Sequence, residues 1–222
     1  YYLQCPSVIQ VNLTGQKAPW VSAKDIILKV LQELSVKGGV NKIVEYTGEG
    51  IATLSLTDRA TICNMGAELG ATTSVFPTDK RTLEYLKQQG RENDYVEMKA
   101  DADATYDQVL EIDMSTLEPM VAKPHSPDAV VPARELEGMA INQVVIGSCT
   151  NSSFADMMRA AKILKGRKVA EHVSLVIAPG SSSILAMLSE NGALADMIQA
   201  GARILECGCG PCIGMGQAPL SK

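Results

Sequence analysis

Aromatic residues are scarce in this chain of 222 residues, at 4% with one Trp and two Phe. Its core must therefore rest on Ala, Val, Ile, Leu and Met. Histidine is rarer still. His125 falls in a proline-rich stretch and His172 in a polar turn, and both read as solvated groups rather than catalysts. No basic block appears and the net charge is −5, which argues against a nucleic-acid footprint. No apolar run approaches the roughly 20 residues that cross a bilayer, and no signal-peptide pattern is visible. The six cysteines are too few and too unevenly spaced for a secreted disulfide scaffold. A reducing, cytoplasmic compartment is expected, with thiols available to metal. An initiator Met is lacking: Tyr1-Tyr2-Leu3-Gln4 runs directly into a strand-like segment, and Ala218-Pro219-Leu220-Ser221-Lys222 stops just past the richest motif. The expectation is a piece excised from a longer chain.

What is present is ordinary for a globular protein, 46% hydrophobic and 20% charged, and long enough for one large core or two smaller ones. Ser7 to Thr14 alternates as a half-buried strand. Ser22 with Asp25 forms a capping box ahead of Ile26, Ile27, Val30, Leu31 and Leu34 at helical spacing, and Gly38-Gly39 closes that helix. Residues 42–47 read as a strand, 58–69 as a helix, 72–76 as a short β run, and Thr78 or Asp79 caps a helix ending near Gly90. Residues 92–107 form an acidic surface loop, and 108–112 another strand. Pro124, Pro127 and Pro132 mark 122–138 as a linker. Beyond it come a strand over 143–147, a helix capped by Ser152 or Ser153 and running through Leu164, a strand over 173–178, helices over 182–189 and 193–200, and a short strand at 203–205. Strands alternating with helices predict an α/β fold, three-layered α/β/α with mostly parallel sheets, in two units, 1–121 and 139–222.

In such sheets ligands lie beyond the carboxyl ends of the strands. Cys149, in Gly-Ser-Cys-Thr-Asn-Ser, and Cys209 with Cys212, in Cys-Gly-Pro-Cys-Ile-Gly, each follow a predicted strand. A Cys-x-x-Cys step lets two thiolates face one cluster from a single turn. Pro211 stiffens that turn, and Gly208 and Gly210 admit unusual backbone angles. Three thiolates holding an iron–sulfur cluster leave one iron without a cysteine. The pair alone also suits structural zinc, with Cys207 as a further ligand, or a redox pair. A thioredoxin-like placement is excluded, because that motif opens a long helix after an early strand.

The longer strings narrow the choice. Ile146-Gly147-Ser148-Cys149-Thr150-Asn151-Ser152, Cys209-Gly210-Pro211-Cys212-Ile213-Gly214, and Ala60-Thr61-Ile62-Cys63-Asn64-Met65-Gly66-Ala67-Glu68 running on through Gly70-Ala71-Thr72-Thr73-Ser74-Val75-Phe76-Pro77 together resemble the aconitase family. Lys37-Gly38-Gly39 and Ile43-Val44-Glu45-Tyr46 match as well, so the resemblance covers nearly the whole chain. Isopropylmalate dehydratase large subunits share the Ser-Cys-Thr-Asn-Ser string, whereas Ala-Thr-Thr-Ser-Val-Phe-Pro and Cys-Gly-Pro-Cys-Ile-Gly look like aconitase proper.

The resemblance implies that Cys149, Cys209 and Cys212 ligate a 4Fe-4S cluster, with Asn151 beside a ligand in a supporting hydrogen-bonding role. It implies Asn64 next to the cluster and Glu68 near the substrate hydroxyl, four residues apart on one face of one helix. The activity implied is a hydro-lyase of the tricarboxylic acid cycle interconverting citrate and isocitrate through cis-aconitate, with iron as Lewis acid. An isopropylmalate or homoaconitate-type dehydratase is the alternative, as is a cluster-free RNA-binding regulator, against which the acidic balance counts. Cys207 departs from the family pattern and reads as a bystander. Cys5 and Cys63 read as small buried residues. The family's catalytic histidines, its substrate-clamping arginines and its serine base fall outside the matched segment. The remaining domains of the parent chain are thus the implied partners, with a small tricarboxylate as substrate and no membrane, and the segment alone is expected to be nearly inactive.

Overall fold

The computed structural model describes residue 2 and residues 4–217. The ends that prompted the expectation of an excised piece, Tyr1, Leu3 and 218–222, lie outside the described residues. The chain divides after Glu137 into two units.

The first unit is built on a parallel sheet of β1 (Ser7–Thr14), β2 (Lys42–Thr47), β3 (Thr73–Val75) and β4 (Gln108–Asp113), in the order β3-β2-β1-β4. Strand alternation decides its faces. Ile9, Val11 and Leu13 turn inward with Val44, Tyr46 and Ile112 onto α1 (Ala23–Leu34) and α2 (Leu56–Asn64). The other face is polar: Gln10 Nε2 donates to Thr47 Oγ1 at 3.0 Å, and Asn12 Nδ2 donates to Glu111 at 2.6 Å. Helix α1 starts at the Ser22–Asp25 capping box, where the Ser22 N–H donates to the Asp25 carboxylate at 2.7 Å. It buries Ile26, Ile27, Val30 and Leu31 completely, each worth about 1.5–3 kcal/mol. It ends at Leu34, where Ser35 takes φ 63, before the two glycines are reached. Gly38 is needed for another reason: a Cβ there would fall 2.1 Å from the Leu34 carbonyl oxygen.

Two sequence expectations change here. Helix α2 covers Leu56–Asn64 rather than 58–69, because Ser55 and Asp58 form a capping box that starts it earlier, with the Asp58 N–H donating to Ser55 Oγ at 3.1 Å. Its tail tightens into a 3-10 segment, Met65–Leu69, closed by Gly70 at φ 71. Gly66 packs so tightly on β3 that a Cβ would come within 2.4 Å of Ser74 Oγ, and the Ala71 N–H returns to the Gly66 carbonyl at 3.1 Å. The second is in the proline-rich stretch, expected as a linker over 122–138, most of which belongs to the first unit. Residues Met120–Ala122 (β5) and Val130–Pro132 (β6) form a small antiparallel ribbon. The ribbon is docked on α1, where Gln32 Nε2 donates to the Val130 carbonyl at 3.0 Å and the Val36 N–H to the Asp128 carboxylate at 3.1 Å. Pro132 is tolerated because a two-stranded ribbon is all edge.

Helix α3 (Lys80–Gln88) follows β3, and the acidic stretch then returns the chain to β4, pinned where the Val8 N–H donates to the Asp107 carboxylate at 2.7 Å.

The second unit is a parallel sheet of β7 (Gln143–Gly147), β8 (Ser174–Ala178) and β9 (Arg203–Ile204) in that order. Helices α4 (Phe154–Leu164), α5 (Ser182–Glu190) and α6 (Ala193–Ala200) bury Met157, Leu188 and Met197 against Leu175 and Ile177. Because the order follows the sequence and the strands are parallel, their carboxyl ends share one edge. The architecture is α/β with mostly parallel sheets, and among the described residues no helix is long and apolar enough to cross a membrane.

Candidate functional site

The carboxyl edge of the second sheet carries the thiols. At the end of β7 the chain reverses within two residues. Gly147 takes φ 136, and a Cβ there would fall 1.9 Å from the Ala178 carbonyl oxygen of β8, so only glycine fits. Ser148 follows at φ 64 and 5% exposed, its N–H donating to that same carbonyl at 3.1 Å. The Asn151 N–H closes the turn on the Gly147 carbonyl at 3.3 Å. Cys149 is thereby carried outward, exposed. Ser153, not Ser152, caps α4, with the Asp156 N–H donating to its Oγ at 3.2 Å. Ser152 is buried instead against Gly180, where a Cβ would meet its Oγ at 2.4 Å.

At the end of β9 the Leu205 N–H donates to the Ile177 carbonyl at 2.9 Å, extending the ladder one residue. Cys209 and Cys212, both exposed, flank the start of a 3-10 turn, Pro211–Ile213, held by the Met215 N–H on the Gly210 carbonyl at 2.9 Å. Arg203 fastens the following residues, its Nη2 donating to the Gly216 carbonyl at 2.6 Å and its Nη1 to Gln217 Oε1 at 3.0 Å. Strand β8 lies between β7 and β9, which separates their ends by roughly 10 Å. Cys212 spans that gap: its thiol donates to Ser148 Oγ at 3.5 Å, one residue from Cys149.

All six cysteines are thiols. Among the described residues no three Cys, His, Asp or Glu side chains are gathered into a metal-holding group. The donor set nevertheless fits an iron–sulfur cluster in its chemistry: three exposed thiols on short Gly-rich turns at one sheet edge. The space is open as well, since a Cβ on Gly208 or Gly214 would meet nothing within 4 Å. Cys207 is half-buried beside this set.

The other predicted residues belong to the first unit. Asn64 ends α2 and Glu68 lies in the 3-10 segment, both exposed. They do not stack on one α-helical face as expected. A 3-10 turn eclipses residues i and i+3, so Glu68 is displaced by roughly a third of a turn. The segment lies at the amino edge of its sheet, where the Gly39 N–H donates to the Leu69 carbonyl and the Thr72 N–H to the Lys42 carbonyl, at 2.9 and 2.8 Å. The carboxyl edge of that sheet holds a cleft of ≈ 390 Å³ lined by Glu45, Thr47, Glu49, Asp79 and Lys99. Cys63, next to Asn64, is half-buried, and burial pushes its thiol up to about 11. Cys5 is exposed, not buried, because it precedes β1 on the chain's approach to the sheet.

Sequence reasoning missed two further residues. Ser148 lies within the Gly-Ser-Cys-Thr-Asn-Ser run, but its left-handed backbone is visible only in three dimensions. Arg59 lies 2% exposed on α2, its Nη2 donating to the Ile51 and Leu54 carbonyls at 3.1 and 3.4 Å and pairing with Asp79. A charge on the inward side of a helix was the available signal.

The Aconitase family model (aconitate hydratase) matches residues 1–138 and 132–222. The chain is 40% identical over 220 residues to the 3-isopropylmalate dehydratase large subunit 2 of Archaeoglobus fulgidus, covering 99% of this chain and 53% of that protein. It is 42% identical to the 3-isopropylmalate dehydratase large subunit of Clostridium kluyveri, covering 100% of this chain and 52% of that protein. It is 45% identical over 230 residues to the mitochondrial aconitate hydratase of Schizosaccharomyces pombe, covering 96% of this chain and 29% of that protein. The chain therefore spans about half the length of the former two relatives and under a third of the last. With both thiol turns inside segments that match from end to end, this chain belongs to the aconitase family.

Proposed function

We propose that the protein containing this chain is an iron–sulfur hydro-lyase interconverting citrate and isocitrate through cis-aconitate. The observation that carries this reading is the pair of thiol turns on one sheet edge, joined by Cys212 and Ser148. Cys149, Cys209 and Cys212 would hold a 4Fe-4S cluster, with Asn151 adjoining the first ligand. When bound, such a cluster supplies a Lewis-acidic iron at its corner without cysteine. The Asn64 amide offers both a donor and an acceptor for a substrate carboxylate or hydroxyl. Glu68 would hold the proton that leaves with the substrate hydroxyl as water and take it back during hydration. Both side chains are exposed here, so exclusion of water falls to the remaining domains of the parent chain. The 222-residue segment alone is expected to bind a cluster and turn over little.

A second reading, an isopropylmalate-type dehydratase, is favoured by relatives of that name matching 99–100% of this chain. The discriminating experiment uses the full-length parent, reconstituted anaerobically with iron and sulfide and supplied with citrate, isocitrate or 2-isopropylmalate in parallel. Formation of cis-aconitate from the first two, and no dehydration of the third, is the expected result. Dehydration of 2-isopropylmalate alone would transfer the assignment to the second reading.

A further inference from the structure

We infer that Ser148 is a positioning residue of the thiol centre, setting the side chain of Cys212 from across the sheet. The inference rests on the cluster reading above for its purpose, but its physical basis lies in the chain itself. Ser148 is a non-glycine residue at φ 64, buried to 5% exposure in a turn that leaves it no alternative. Gly147 is jammed against Ala178, and the Ser148 N–H is fixed on the same carbonyl at 3.1 Å. A left-handed conformation outside glycine is uncommon, and it persists only where its surroundings over-determine it. Here the conformation turns the hydroxyl to where Cys212, 64 residues further along, donates its thiol hydrogen at 3.5 Å.

The residue type matters. A hydroxyl accepts one hydrogen bond while keeping a hydrogen of its own to donate. The same oxygen can thus receive from a thiol and donate to a thiolate, and the contact serves the chain with or without metal. Alanine in this place would keep the backbone strain and lose the contact. Glycine would relieve the strain and also lose the contact. The two substitutions have opposite effects on the turn and the same effect on Cys212, which separates a role for the hydroxyl from a role for the backbone.

The test is site-resolved alkylation of the metal-free, reduced chain with iodoacetamide, read by mass spectrometry, in wild type, Ser148→Ala and Ser148→Gly. The rate at Cys212 is expected to change several-fold in both variants, in the same direction, with Cys209 on the same turn unchanged. If Ser148→Ala fails to fold, Ser148→Gly carries the test, because it relaxes the turn. Wild-type rates at Cys212 in both variants overturn the inference, and so does a change in the glycine variant alone. Anaerobic loading with iron and sulfide keeps this apart from the reading above. A wild-type chain that takes up no cluster contradicts that reading while the alkylation result still decides Ser148. A wild-type chain that loads normally, with Cys212 unaffected in both variants, removes only Ser148.

Discussion

Arg59 and Asp79 form an ion pair that ties the second helix of the first unit to the start of the third. The Arg59 side chain is 3% exposed and that of Asp79 32%. The guanidinium also donates to the Ile51, Leu54 and Pro77 carbonyls and lies 5.9 Å from the Phe76 ring, itself stacked on Tyr46 at 4.5 Å. Two loops at the carboxyl edge of the sheet, the one after β2 and the one after β3, are thus fixed by one side chain. Arg59→Met removes the donor these carbonyls share and takes the guanidinium from Asp79, and is expected to cost about 3 kcal/mol in urea unfolding. A loss under about 0.5 kcal/mol would mean that the pair contributes only as much as an exposed one.

Acid should weaken this same region. Burial works against ionised Asp79, but hydrogen bonds from Arg59, Thr82 and Arg81 and the guanidinium charge outweigh it and hold its pKa below the usual value. Asp58 behaves likewise: burial opposes its charge, and Lys17 and Ser55 more than offset it. A lowered folded pKa contributes stability that is present above the unfolded value of about 3.9 and is lost as pH falls through the folded one. Stability of the first unit should therefore drop below about pH 4. Asp79→Asn should flatten that drop while lowering the neutral-pH baseline, as measured by urea midpoints from pH 2 to 7.

Gly147→Ala places a methyl group 1.9 Å from a β-sheet carbonyl at φ 136. Neither rotamer nor loop shift absorbs such a clash, and a loss of more than about 3 kcal/mol in the second unit is expected. Gly166→Ala is the control. It also lies at positive φ, 70, but in open space, so about 1 kcal/mol of left-handed strain is all it should cost. Equal losses for the two would show that conformation alone, not the approach of β8, selects glycine at 147.

Most of the fold was legible because its strands and helices are amphipathic with clean periods. The alternation of Ile9, Val11 and Leu13 fixed both the strand and its buried face. Misreadings arose where tertiary contact overrode local pattern. The run from Asp58 to Leu69 looks helical throughout, yet Gly66 must press against Ser74 and the chain must turn in time to start β3. The prolines of 122–138 mark a linker, but the pairing of Val121 with Val131 and the docking on α1 are long-range facts. At the candidate site, the thiols announced themselves by spacing and by resemblance. Ser148 did not, because a left-handed serine has no signature in sequence.

In the full-length parent, the proton-transferring role proposed for Glu68 requires Glu68→Gln to lower kcat by about 10²-fold or more. Its exposed position predicts unchanged thermal stability. Activity within a factor of about two of wild type would reassign the proton transfer to another residue, a difference far below what a catalytic acid supplies.

Anaerobic reconstitution of this chain, read by iron and acid-labile sulfide content together with the spin-resonance signal of the reduced cluster, tests the three-thiol centre most directly. Wild type and Cys207→Ser should take up a 4Fe-4S cluster, and Cys149→Ser, Cys209→Ser and Cys212→Ser should each lose it. An undiminished cluster signal in Cys149→Ser, or zinc bound without sulfide in the wild type, would contradict the assignment.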